Sequence, residues 1–236
     1  MVLDTRARLF LALTGIFITA LLIGDIIGGK LFEVSVFGSL QTLSVGIIPF
    51  PITFVLTDVL NEFYGKKAAR TVTYVGLGCT VFAFTVIFVA GAIPMAGFTG
   101  GAEWSGINAN AFERVFLSSQ RILAASLVAY MCGQLIDIFV FHKIKAWTKN
   151  RFIWARATGS TMVSQFFDTA LIQTLAWYGT LDSAKLPGMI ATSYAVKVVV
   201  AIALTPVIYV LHGFVHRVLK LEPVKLGEDG EPVAGA

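Results

Sequence analysis

The chain has 236 residues, of which 56% are hydrophobic and only 14% charged, and its formal net charge is +4. A soluble domain of this size would carry about 25% charged residues. With a mean hydropathy of +0.80, and with its bases in short loops between long apolar runs, the chain reads as an integral membrane protein and not as a nucleic-acid binder.

Six transmembrane helices fit the hydropathy, in an all-α domain spanning residues 1–220. The first span covers about 9–28. Arg6 and Arg8 precede it, but its apolar run is too long for a signal-peptide core, so it is expected to be retained. Asp25 lies near its outer end. The second covers about 40–63 and carries Pro49 and Pro51. From Ile52 to Tyr64 a helix would be roughly 20 Å long, short of the ~30 Å hydrocarbon core. The second span is therefore expected to be broken near Pro49/Pro51 or to be a discontinuous helix of the kind transporters place at their substrates.

The third span, about 71–93, has no charge. A glycine-rich connection over 94–121, with Trp104 and Phe112, fits either a lid or an ordinary surface loop. The fourth span is about 122–141, the fifth about 158–180, and the sixth about 188–212 with Thr205–Pro206 as a kink. Residues 221–236 are polar and Gly/Pro-rich, and are expected to form a disordered cytoplasmic tail. Cys79 and Cys132 fall inside spans and read as packing residues. Thirteen Lys and Arg fall on the side of the termini and four on the other. Both termini are then cytoplasmic, by the positive-inside rule.

Ionisable side chains inside spans are costly and by default mark function. The densest set lies in PFPITFVLTDVLNEFYGKKAAR, residues 49–70. There Asp58, Asn61 and Glu62 share one helical face by their i, i+3 and i, i+4 spacing. Gln-x-x-Asp occurs twice, as Gln134 with Asp137 and as Gln165 with Asp168, and Ser164 and Thr169 extend the second stripe. Five intramembrane acids (Asp25, Asp58, Glu62, Asp137, Asp168) face one intramembrane base, Lys197. An Asp168–Lys197 pair would satisfy two of these charges. The surplus acid favours a cation or a neutral molecule with several N–H groups. Each residue also has a bland reading. Asp25 fits an interfacial role, Gln134, Gln165 and Asp137 fit bonds between helices, and Lys197 fits simple neutralisation of Asp168. Phe50, Phe54 and Tyr64 flank the motif and could stack on a planar ligand.

The stretch FPITFVLTDVLNEFYGKKAAR, with the SQFFDT segment at Ser164–Thr169, closely resembles the signature of the queuosine-precursor transporter family, also called the vitamin uptake transporter family. The resemblance runs in outline over nearly the whole chain. It implies an inner-membrane importer of 7-cyano-7-deazaguanine and 7-aminomethyl-7-deazaguanine, similar to the substrate-binding subunits of energy-coupling-factor vitamin importers but working without their ATPase. The polar set suits such a ligand. A deazaguanine presents adjacent N1–H and N2–H₂ donors to a carboxylate, amides can bond O6, and an aromatic ring can lie against the base. Asp58, Asn61, Glu62, Gln165 and Asp168 are expected to share one pocket, with Gln134, Asp137, Lys197 and Phe54 in support.

No cofactor is expected. No Walker P-loop is present, so the chain itself hydrolyses no ATP. Facilitated diffusion with intracellular trapping and proton coupling both remain open, as does a binding subunit serving a partner ATPase. An intramembrane aspartyl protease is disfavoured, because Gly133 and Asp137 have the wrong spacing and no Ser/His constellation lies in the spans. The expected partners are the small-molecule substrate and the lipid bilayer, with no nucleic acid, and a homodimer is plausible for a bundle of this size.

Overall fold

The computed structural model describes residues 4–36, 39–100, 105–117, 120–179 and 186–225. Trp104, Lys185 and tail residues 226–236 lie outside the described residues. Helix α1 (Thr5–Ile27) is capped by Asp4, whose carboxylate accepts from the Ala7 N–H at 2.7 Å. Strands β1 (Leu31–Val36) and β2 (Ser39–Ser44) follow and pair antiparallel, Leu31 opposite Ser44. Helix α2 (Phe50–Ala92) comes next, then the short α3 (Ala109–Phe112) and a π turn (Glu113–Leu117). Helices α4 (Gln120–Trp147), α5 (Ile153–Trp177) and α6 (Leu186–Arg217) complete the chain.

The second span differs from the expectation of a helix over 40–63. LFEVSV alternates apolar and polar residues from Phe32 to Val36 with the period of a strand, and SLQTLS pairs with it. The helix begins only at Phe50, with Pro49 as its cap and Pro51 in its first turn. Proline is tolerated there because the first-turn N–H groups have no partner within a helix. The two prolines therefore start the helix, and the discontinuity lies at Gly65, with φ 76° and ψ 177°. That region is open essentially to glycine alone.

Gly65 divides α2 into a first limb, 50–64, and a second limb, 66–92, and the chain reverses between them. Pro49 lies against Gly24 near the end of α1. Arg6, near its start, donates to the Phe63 carbonyl at 2.8 Å. Beyond the turn, Gly76 is back beside Phe17 and Leu21. The first limb thus runs antiparallel to α1 and the second parallel to it. The break leaves helix-end carbonyls without intrahelical partners. Arg6 meets that of Phe63, while that of Glu62 accepts from Val224 N at 2.9 Å and Lys145 Nζ at 3.3 Å.

Six segments therefore cross the bundle: α1, the two limbs of α2, α4, α5 and α6. Among the described residues, four stretches are apolar and long enough to span by composition alone, and one of them holds both limbs. Helix α5 is long enough too, but its polar stripe keeps it out of that group. The chain is an all-α membrane protein.

The first limb is the centre of the bundle, and every residue from Phe54 to Phe63 is buried. Leu56 and Leu60 pack on Phe17 of α1 and Val72 of the second limb. Val55 meets Phe141, Ala157 and Ile208 of α4, α5 and α6. Val59 and Phe63 meet Val215. The second limb turns Phe82, Val86, Phe88 and Val89 outward, as a lipid-facing helix does. Of the 94–121 connection, the Phe112 and Leu117 side chains pack against Gly91 at the outer end of α2. Residues Leu221 and Val224, at the start of the expected tail, lie against the first limb and Gly65.

Candidate functional site

Polar residues occupy three levels along the first limb. The innermost is centred on Glu62, at the end where α1 begins, the limbs of α2 meet, α4 ends, α5 begins and α6 ends. Glu62 Oε1 accepts from Arg156 Nη2 at 2.7 Å, and Oε2 accepts from Arg156 Nε at 2.9 Å and Lys145 Nζ at 3.0 Å. His212 Nε2 stands 3.7 Å from Oε1. Arg156 also donates through Nη1 to the Asn150 and Arg151 carbonyls, tying the α4–α5 loop to the same cluster. The Lys145 and Arg156 side chains are 1% and 2% exposed. One side chain thereby ties α2 to α4, α5 and α6 and closes the bundle at its basic, cytoplasmic end.

This cluster changes the charge count drawn from sequence. Lys145 and Arg156 fall beyond the predicted ends of the fourth and fifth spans, where they read as loop bases. Both instead point inward, so Lys197 is not the sole base facing the acids. Helical spacing carried the signal. Stepping back by fours from Asp168 gives Ser164, Ser160 and Arg156, and stepping on by fours from Asp137 gives Phe141 and Lys145.

The middle level holds Asp58, Asn61 and Asp137. Asn61 Oδ1 lies 3.2 Å from His142 Nε2. Asp137 Oδ1 accepts from Ser164 Oγ at 3.1 Å. Asp58 Oδ1 is buried without a hydrogen-bond partner among the described residues. It borders a small cavity of about 10 Å³ shared with Glu62, Phe63, Phe141 and His212.

The outer level holds Gln165, Asp168 and Lys197. Lys197 Nζ donates to Asp168 Oδ2 at 2.7 Å and to Gln165 Oε1 at 2.9 Å. It also stands 4.7 Å from the centroid of the Phe50 ring, within cation–π range. Phe50 in turn packs edge-on against Phe54, with centroids 3.8 Å apart. Gly133 of α4 lies directly against Asp168, where an added Cβ would stand 3.2 Å from the Asp168 Cβ. The Asp168 and Lys197 side chains are 20% and 16% exposed, so this level is open where the innermost is closed. Asp25 accepts from Ser126 Oγ at 2.8 Å, tying α1 to α4. Gln134 Oε1 is buried with no partner among the described residues.

The residues expected to share one pocket are thus stacked along the bundle. Gln165, Asp168, Lys197, Phe50 and Phe54 come together, whereas Asp58 lies about 12 Å further along the first limb than Phe50, at 1.5 Å per residue. Glu62 lies deeper still, with both oxygens engaged by protein cations. Among the described residues no group of three or more His, Cys, Asp or Glu could hold a metal ion.

A family model described as "Putative vitamin uptake transporter" matches residues 44–211, the part of the chain that holds all three levels apart from His212. A probable queuosine precursor transporter of Bacillus subtilis is 30% identical over 177 residues, covering 75% of this chain and 73% of the relative. The queuosine precursor transporter of Escherichia coli is 27% identical over 138 residues, 58% of this chain and 57% of the relative. A probable queuosine precursor transporter of Haemophilus influenzae is 26% identical over 140 residues, 58% of this chain and 53% of the relative. No solved structure matches. With its apolar helices and the extent of the family match, the chain is a multi-pass transporter of the bacterial inner membrane, not an enzyme, and it belongs to the vitamin uptake transporter family.

Proposed function

We propose that the chain imports queuosine precursors, 7-cyano-7-deazaguanine and 7-aminomethyl-7-deazaguanine, and reads the base at the outer polar level. The observation that carries this is the Gln165–Asp168–Lys197 cluster beside Phe50. It offers a carboxylate, an amide, an ammonium and an aromatic ring at one part-exposed level, which matches the edge and face of a deazaguanine. The N1–H and N2–H₂ donors of an arriving base replace Lys197 on Asp168. Lys197 and the Gln165 amide N–H₂ then turn to O6. No buried charge is left unpaired in the exchange. Phe50, backed by Phe54, covers the flat face. Asp58, Asn61, Asp137 and Gln134 line the path inward, and Glu62 holds the cytoplasmic seal that opens for release.

The names of the relatives support this substrate class. The test is equilibrium binding of 7-cyano-7-deazaguanine to purified protein, with guanine and the aminomethyl analogue as competitors. Loss of a charge-assisted hydrogen bond costs about 1.5–3 kcal/mol, so Asp168→Asn is expected to weaken binding roughly ten- to a hundredfold. Unchanged binding in Asp168→Asn and Lys197→Met would remove the outer level from the substrate site.

A further inference from the structure

We propose that Asp58 is a resident proton-binding site, which carries a proton in this closed state and exchanges it during transport. The role in transport rests on the function proposed above; the site itself rests on the charges around it. Asp58 is 4% exposed, and its Oδ1 has no hydrogen-bond partner among the described residues. Charged and titratable groups approach it on four elements. From its own helix comes Glu62, from α4 come Asp137, His142 and Lys145, from α5 Arg156, and from α6 His212. Helix α1 and the second limb of α2 meet this helix through Phe17 and Val72, with Arg6 held on the Phe63 carbonyl and Lys66 and Arg70 acting on His142.

Both buried cations are committed elsewhere. All three Arg156 nitrogens are engaged, two by Glu62 and one by loop carbonyls. Lys145 is held by the Glu62 carboxylate and carbonyl. Lys145 and Arg156 bring two positive charges to three carboxyl groups, so one further proton makes the cluster neutral. An uncompensated buried charge is expensive, so that proton is required. Asp137 already has a hydroxyl donor in Ser164, which stabilises its ionised form. Asp58 Oδ1 has none, so the proton belongs on Asp58. The adjoining cavity of about 10 Å³ is at the lower limit for a single water, which suits a proton and leaves no room for a hydrated metal cation. Opening of the Glu62 seal frees Arg156 and Lys145 to face Asp58, and the proton then leaves toward the cytoplasm.

Difference infrared spectroscopy of purified protein in detergent at neutral pH tests the site without any substrate. A protonated-carboxyl component is expected in the wild type, is expected to vanish in Asp58→Asn, and should keep its frequency in Asp137→Glu, which leaves the charge count unchanged. Asp58→Glu, which keeps the acid in altered surroundings, should shift it and serves if the asparagine variant does not fold. A carboxylic-acid region unchanged in Asp58→Asn, or a component that shifts in Asp137→Glu and not in Asp58→Glu, overturns the proposal. In liposomes, one unit of outside-acid pH gradient should raise wild-type accumulation of 7-cyano-7-deazaguanine about tenfold for one proton per base, with no gradient effect in Asp58→Asn. Wild-type accumulation indifferent to the gradient overturns the transport role. Failure of the substrate reading would show differently, as absent binding of the base with the infrared component intact.

Discussion

Neutralising Glu62 is the sharpest test of how the bundle is closed. Glu62→Gln keeps the size of the side chain and one acceptor oxygen but removes the negative charge. Three charged contacts of 2.7, 2.9 and 3.0 Å depend on that charge, and the Arg156 and Lys145 side chains are 2% and 1% exposed. Removing one partner from such a cluster leaves buried charge uncompensated, at a cost of about 3–5 kcal/mol. The retained acceptor puts the expected loss near the lower end, at about 3 kcal/mol. The assay is reversible unfolding of purified protein in mixed detergent micelles. Lys145→Met in the same background removes one of the stranded cations. The double variant should therefore be more stable than the sum of the single losses predicts, by about 1 kcal/mol or more. A loss below about 1 kcal/mol, the range of an exposed pair, or strict additivity with Lys145→Met, would refute the sealed ion cluster.

Other perturbations separate the levels. Asp168→Asn should spare stability more than Glu62→Gln, because the Asp168–Lys197 pair is only part-buried, while it weakens ligand binding; unfolding and binding measured on one sample check both. Gly65→Ala forces an L side chain into the glycine-only backbone of the α2 turn and should cost about 1–3 kcal/mol in the same unfolding assay. Gly133→Val places bulk where even a Cβ stands 3.2 Å from Asp168. It should displace the carboxylate and lower affinity at least as much as Asp168→Asn; a variant that binds normally would separate Asp168 from the site.

Much of this architecture can be read from apolar runs and loop charge. The spans, their orientation and the cost of Asp58 and Glu62 in apolar sequence follow from solvation. So does the Asp168–Lys197 pair, the one opposite-charge match evident from the mid-span residues. The strand pairing of 31–36 with 39–44 is harder to see, because SLQTLSVGII is apolar enough to pass for the start of a span and only the alternation of its partner, FEVSV, betrays it. The break at Gly65 is masked by the basic cluster after it, which marks a loop without showing how abrupt the reversal is. Lys145 and Arg156 are hidden by their position at span ends. Counting bases at span ends assigns them to water, and only the four-residue periodicity with Asp137 and Ser164 turns them inward. Phe50 next to Lys197 depends on where the helix starts, which the prolines mark only once they are read as first-turn residues.

The measurement that bears most directly on the central claim is uptake of labelled 7-cyano-7-deazaguanine into liposomes containing this chain alone, without ATP. The account predicts saturable uptake, blocked by the aminomethyl analogue and reduced in Asp168→Asn. No uptake by monodisperse, reconstituted protein, with uptake appearing only on addition of an ATPase partner, would contradict a self-sufficient importer and make the chain a binding subunit.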